Sequence, residues 1–225
     1  MNIRICTPVI GSSLVLFLEN LKKTEAVSDL IELRIDTIQD LALPDIKTIR
    51  EHTTKPAIWT CRSKEEGGAY VGSEGSRVAL IQKGIGIFEH VDIELKTVQA
   101  HDFTCNEKSK IIISYHNFAE TPSYWDMQKI IFEMNQHKPD IIKIATMVHD
   151  EYELTKLYRL LTNKPHHEER IVVGMGEVGK QSRIIGPLLG SYLTYASTEW
   201  GESAPGQIEV KEMQSIYKLI PIARS

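Results

Sequence analysis

Lys143 lies within Asp140-Ile141-Ile142-Lys143-Ile144-Ala145-Thr146-Met147, a short apolar run that reads as a fully buried strand with no packing use for an ammonium group. Burying a charge without a partner is expensive, so such a lysine is expected to lose its proton. The neutral amine can then attack a ketone and form a Schiff base, a chemistry few other side chains offer. A strand-end lysine snorkelling to solvent is the plain alternative. His116, in Ser114-Tyr115-His116-Asn117-Phe118-Ala119-Glu120-Thr121-Pro122, is placed at a strand tip before a Thr-Pro helix start. Histidine shuttles protons near neutral pH when something orients its second nitrogen, and Glu66 from a neighbouring strand end is a carboxylate that fits. Alone, such a histidine is more often structural.

Other polar residues collect at comparable positions. In Glu32-Leu33-Arg34-Ile35-Asp36, period-two alternation puts Glu32, Arg34 and Asp36 on one face, which suits a hydroxyl-bearing substrate or, alternatively, an ion-paired plug. Thr60-Cys61-Arg62-Ser63-Lys64-Glu65-Glu66-Gly67-Gly68 keeps Arg62 and two acids near a glycine turn, and by itself reads equally as a solvated loop. Gln181-Ser182-Arg183 offers a fork-shaped cation for a carboxylate. Ser197–Gln207, with Ser203 and Gln207 near its end, is a polar, glycine-hinged loop that reads as a lid or as a passive surface loop. Gly174-Met175-Gly176-Glu177-Val178-Gly179 is formally a G-x-G-x-x-G, but it comes near the chain's end instead of after a first strand, so nicotinamide binding is a poor fit and phosphate capture a better one.

These residues need a frame, and the chain supplies one by alternation. Strands are expected at Ile3–Val9, Leu30–Arg34, Ala57–Arg62, His90–Leu95, Lys110–Tyr115, Ile141–Thr146, Ile171–Met175 and Ser191–Ala196. Amphipathic segments at Ser12–Lys23, Ser76–Gly86, Tyr124–Gln136, Tyr152–Leu161 and Lys211–Leu219 read as helices, while those after the fourth and seventh strands are too short to assign. Eight such units without a linker-like composition shift predict an α/β fold with one domain over residues 1–225, a (β/α)8 TIM-type barrel. An open doubly wound sheet is the alternative. In a barrel the catalytic groups belong at the C-terminal ends of the strands, where the residues above fall.

Composition excludes several classes. The 225 residues are 42% hydrophobic and 25% charged with a net charge of −4, which leaves no basic footprint for nucleic acid or a membrane surface and favours a small-molecule partner. Three cysteines, Cys6, Cys61 and Cys105, are widely spaced without a C-x-x-C, which argues against disulfides or zinc and for a reducing cytoplasm. No secretory leader or membrane-length apolar stretch is evident.

Taken together the pieces resemble the type I 3-dehydroquinate dehydratases, Schiff-base enzymes of the shikimate pathway. The resemblance rests on Glu-Leu-Arg-Ile-Asp at 32–36, Arg-Ser-x-x-Glu-Gly-Gly at 62–68, Ser-x-His-Asn-Phe-x-x-Thr-Pro at 114–122, Lys-Ile-Ala at 143–145, Ser-Arg at 182–183 and Ser-Ala-Pro-Gly-Gln at 203–207. Asn117 stands where aspartate is frequent and Val148 where proline is; neither is a reacting group. The resemblance implies that Lys143 condenses with the C3 ketone of 3-dehydroquinate, that His116 held by Glu66 moves the C2 proton, and that no metal or organic cofactor is needed. It further implies that Arg183 clamps the carboxylate, that Glu32, Arg34 and Arg62 contact hydroxyls and rim, and that Ser203 and Gln207 belong to a closing lid. A homodimer is compatible with it. A class I aldolase-like barrel acting on a sugar phosphate, or a non-catalytic metabolite-binding barrel, are the competing readings.

Overall fold

The structure is a computed structural model and describes residues 3–220. Along the chain run β1 (Ile5–Val9), α1 (Leu14–Glu25), β2 (Leu30–Arg34), α2 (Asp45–His52), β3 (Ala57–Thr60), α3 (Glu74–Gly84), β4 (His90–Glu94), α4 (Leu95–Ala100), β5 (Lys110–Asn117), α5 (Tyr124–Gln136), β6 (Ile141–Met147), α6 (Glu151–Thr162), β7 (Arg170–Met175), α7 (Gly176–Gly179), α8 (Ser182–Leu188), β8 (Thr194–Tyr195) and α9 (Val210–Leu219). The strands form one parallel sheet in the order β7-β6-β5-β4-β3-β2-β1-β8. This is a (β/α)8 barrel, closed by ladders except between β7 and β8. That seam is crossed by the Tyr192 N–H, which donates to the Arg170 carbonyl at 2.7 Å, and by the Val172 N–H, which donates to the Ser191 hydroxyl at 3.4 Å.

Alternation along the strands divides the interior in two. Ile31, Leu33, Trp59, Val91, Ile113 and Ile144 point outward and pack under Phe17, Leu21, Leu80, Met127 and Leu157 of the helices. Each such side chain, fully buried, contributes about 1.5–3 kcal/mol. Cys6, Leu30, Ile58, Ile112, Ile141 and Ile171 pack inside the barrel. Moving two residues toward the C-terminal ends, the inward positions become polar: Leu30 gives way to Glu32, Ile58 to Thr60, Ile112 to Ser114 and Ile141 to Lys143, all buried. The chain therefore places an apolar floor under a charged upper layer.

Several boundaries differ from expectation for local reasons. The first helix begins at Leu14 because Ser13 caps it, its hydroxyl accepting from the Leu16 N–H, and Ser73 likewise starts α3 at Glu74. The eighth strand shrinks from Ser191–Ala196 to two residues, since it pairs only with Ile5 and Cys6 of β1 and lacks a ladder to β7. The third strand stops at Thr60 and the fourth at Glu94, where α4 begins at once. The fifth runs on to Asn117, carried by pairing to β6. Helix α2, not expected from the sequence, buries only Ile46 and Ile49, too little to show as a periodic pattern. Among the described residues no helix is long and apolar enough to cross a membrane.

Candidate active site

Strand β6 carries Lys143 between Ser114 of β5 and Ile171 of β7, and because Ile142 and Ile144 face the helices, Lys143 faces the barrel axis. It is buried. It is not, however, unpartnered: its Nζ donates to Asp92 Oδ2 at 2.9 Å and lies 3.5 Å from Glu32 Oε1. The expectation of a lysine buried without a partner is thus corrected by two carboxylates from β4 and β2. The same nitrogen lies 4.7 Å from the centre of the Tyr195 ring. Asp92 is itself shared, with Arg62 NH2 at 2.8 Å and the Ser114 hydroxyl donating at 2.6 Å. Burial would raise its carboxyl, but Arg62 and Lys143 outweigh that and hold it far below the usual carboxylate range.

Strand β5 presents His116 on the same face as Ser114. Its Nδ1 lies 2.8 Å from Glu66 Oε2, and its backbone N–H donates to the same oxygen at 3.1 Å. Glu66 gets there on a single 3-10 turn, Lys64–Glu66, that follows β3. Ser63 caps the turn through its hydroxyl, and Gly67, at φ 78°, ends it in a conformation other residues resist; a Cβ there would also meet the Phe118 ring at 2.3 Å. Burial pushes the His116 imidazole well below its ordinary value, with Arg62 and Lys143 adding to the effect. Burial also pushes Glu66 up, to about 7, against the pull of Arg62. A neutral imidazole with one nitrogen engaged by Glu66 has its other nitrogen available as a base.

The remaining residues singled out in the sequence line the same cavity, which holds about 470 Å³ of empty space counted out to its open mouth: Glu32, Arg34, Arg62, Glu66, His116, Lys143, Arg183, Ser203 and Gln207 all border it. Asp36 does not. The second strand ends at Arg34, so alternation stops short of Asp36, which lies in a 3-10 turn and grips Arg34 through Nε and NH2 at 2.9 and 2.8 Å. Arg183, on α8, is almost wholly buried, and among the described residues its guanidinium reaches only carbonyls, Tyr195 at 3.5 Å and Pro205 at 3.3 Å. Its Nε has no partner among the described residues, and burial lowers its pKa to about 10. A buried guanidinium at the wall of a cavity can pair with an anion that enters it. Ser203 and Gln207 face one another in the segment over the cavity, the Gln207 side chain taking the Ser203 N–H at 3.0 Å.

The Gly174–Gly179 loop has two of its amides engaged within the protein. The Gly174 N–H is taken by the Ser182 hydroxyl at 2.7 Å and the Gly176 N–H by the Pro205 carbonyl at 3.2 Å. Its glycines serve close backbone packing, since a Cβ on Gly179 would lie 2.5 Å from the Gly174 carbonyl carbon. Sequence reasoning did not single out Asp92, Glu94 or Tyr195. The signal for the first two was present in His90-Val91-Asp92-Ile93-Glu94, a buried strand with acids at alternate positions. Among the described residues no cluster of three or more His, Cys, Asp or Glu side chains is arranged to hold a metal ion.

Residues 5–224 match the family model of the type I 3-dehydroquinases. A 3-dehydroquinate dehydratase of Coxiella burnetii is 40% identical over 217 residues, 96% of this chain and 92% of the relative. Among solved structures, the 3-dehydroquinate dehydratase of Aquifex aeolicus is 31% identical with a TM-score of 0.80, covering 98% of this chain and all of that one. The type I enzyme of Clostridium difficile, solved with covalently modified comenic acid, has a TM-score of 0.81 at 25% identity, over 96% and 93% of the two chains.

Proposed function

Since the chain belongs to the type I 3-dehydroquinase family, we infer that it is a hydro-lyase that removes water from 3-dehydroquinate to give 3-dehydroshikimate, within the shikimate route to aromatic amino acids. We propose the roles as follows. Arg183 takes the substrate carboxylate, satisfying the buried Nε that has no partner among the described residues. Glu32, Arg34 and Arg62 receive the ring hydroxyls, and Ser203 with Gln207 closes the mouth against water. The Lys143 amine adds to the C3 ketone, and loss of one water leaves an iminium whose positive nitrogen acidifies the C2 hydrogen. His116, oriented by Glu66, removes that proton and returns it to the C1 hydroxyl as the C1–O bond breaks and a second water departs. Hydrolysis of the conjugated iminium then frees the product and the lysine.

The observation that carries this reading is the placement of two groups in one cavity: a buried lysine on β6 and a half-buried, carboxylate-held histidine on β5, beside an arginine with no carboxylate partner among the described residues. The engagement of the Gly174 and Gly176 amides within the protein weakens the case for a sugar-phosphate substrate. We take residues 1–225 as one catalytic domain, a homodimer as its assembly and the cytoplasm as its compartment, which suits three free cysteines. The test is covalent. Sodium borohydride added with 3-dehydroquinate or 3-dehydroshikimate should inactivate the protein and leave the added mass on Lys143, while borohydride alone should not. Lys143→Met should fold yet neither turn over nor be trapped. Mass on another lysine, or retained turnover in Lys143→Met, would overturn the Schiff-base assignment.

A further inference from the structure

We propose that Glu94, which does not border the cavity, is a positioning residue that fixes the nucleophile and the proton shuttle together. It is the last residue of β4, buried, and in register with Ser114, which is in turn in register with Lys143. Its Oε1 accepts from two groups that lead in different directions. Arg62 NH1 reaches it at 3.3 Å, and the Ser63 backbone N–H donates to it at 2.8 Å.

From Arg62 the connection runs inward. Arg62 NH1 also donates to the Ser114 hydroxyl at 2.8 Å, its NH2 pairs with Asp92 at 2.8 Å, and Asp92 holds Lys143 at 2.9 Å. Burial alone would weaken the Arg62 charge, but Asp92 and Glu94 outweigh it. From Ser63 the connection runs outward and back. Ser63 caps the 3-10 turn that ends in Glu66, its carbonyl accepts from the Gly68 N–H at 2.7 Å, and Glu66 orients His116. One carboxylate oxygen therefore sets the position of both arms.

The other oxygen anchors this hub to the fold. Glu94 Oε2 lies 3.4 Å from Arg77 NH2 and accepts from the Thr97 hydroxyl at 3.4 Å. Arg77 is buried on α3 and is held by Glu74 at 2.7 Å and by the Cys61 carbonyl at 2.8 Å. Glu94 is thus tied to α3 and α4 on one side and to the reacting groups on the other. A misplacement near 1 Å in a site of this kind costs on the order of 10²-fold in rate. Here such a shift would reach Lys143 and His116 at once.

The inference rests on the roles given to Lys143 and His116 above, and two readouts separate the arms. Borohydride trapping of the purified protein with 3-dehydroshikimate reports the lysine, and solvent exchange of the C2 hydrogen of 3-dehydroquinate reports the histidine. Glu94→Gln keeps the shape but weakens the hold on Arg62 and Ser63, and should slow trapping by about 10-fold and exchange by about 10²-fold per folded molecule. Glu66→Gln should slow exchange while leaving product trapping near the wild-type rate. Lys143→Met should abolish both, and if it does not, the underlying roles fail regardless of Glu94. If Glu94→Gln leaves either readout at the wild-type level, or changes only denaturation stability, the shared anchor is refuted. Should Glu94→Gln not fold, Glu94→Asp, which keeps the charge but shortens its reach, must show the same double loss.

Discussion

Arg183 offers a prediction in which binding is lost without loss of stability. Its guanidinium is 1% exposed, no carboxylate among the described residues comes within ion-pair distance, and its pKa falls from the ordinary arginine value to about 10 because of burial. At 1.36 kcal/mol for each tenfold change in proton affinity, holding that charge costs the empty protein about 3 kcal/mol. Arg183→Met removes the charge and fills much of the same volume, while giving up two long hydrogen bonds to carbonyls, each contributing at most about 0.5–1.5 kcal/mol. Urea denaturation without ligand should therefore show the variant as stable as wild type or more so, by up to about 2 kcal/mol. With 3-dehydroshikimate at a hundred times its dissociation constant, wild type should gain about 2.7 kcal/mol and the variant nothing. Turnover, followed by the ultraviolet absorbance of the conjugated product, should be lost. Arg183→Lys keeps a charge without the fork, so the Michaelis constant should rise with no gain in stability. An unliganded Arg183→Met that is less stable than wild type by 1 kcal/mol or more would show that the charge is not held at a cost, and the anion-clamp reasoning would fall.

His116→Ala should lower turnover by about two to four powers of ten while the protein still folds and is still trapped by borohydride with product; near-normal turnover would remove the histidine from the mechanism. Glu66 carries a proton-linked stability term, because burial raises it to about 7 in the folded protein, above its value in the unfolded chain. That stabilisation is fully present below the unfolded value and is lost as pH rises through about 7, so wild type measured against Glu66→Gln should lose relative stability between pH 5 and 8. A pH-independent difference in urea titrations would mean that Glu66 is ionised throughout. Gln207→Ala breaks the contacts with Ser203 and should raise the Michaelis constant severalfold, with some loss of turnover if closure completes the site; unchanged kinetics would leave the segment a passive loop.

Much of the barrel was legible because strands packed on both faces read as short apolar runs, and polar interruptions such as Lys143 and His116 stand out against them. What a single strand does not show is its neighbour across the barrel. Lys143 reads as isolated within Ile141–Met147, yet Asp92 lies fifty-one positions earlier and meets it only through closure of the sheet. The acids of β4 alternate with apolar residues as in any half-polar strand, so nothing local marks Asp92 as the partner of Lys143. Helix α2 left little trace since two buried residues make no stripe. The glycine loop is ambiguous in sequence: spacing suited to phosphate is also spacing suited to tight backbone packing, and here the Gly174 and Gly176 amides are engaged within the protein.

The unladdered seam between β7 and β8 divides the molecule mechanically. Lys143 and His116 stand on β6 and β5, which are paired along their lengths to neighbours on both sides. Arg183 and the covering segment hang from the side where β8 holds the ring by two residues. A ring fastened this way is built like a clasp: one arc is laddered throughout, and at the seam only single hydrogen bonds stand between β7 and the segment before β8. Amides around β8 should accordingly exchange with solvent sooner than those of β5 and β6, and bound substrate, gripping Arg183 from within, should act as the pin that shuts the clasp.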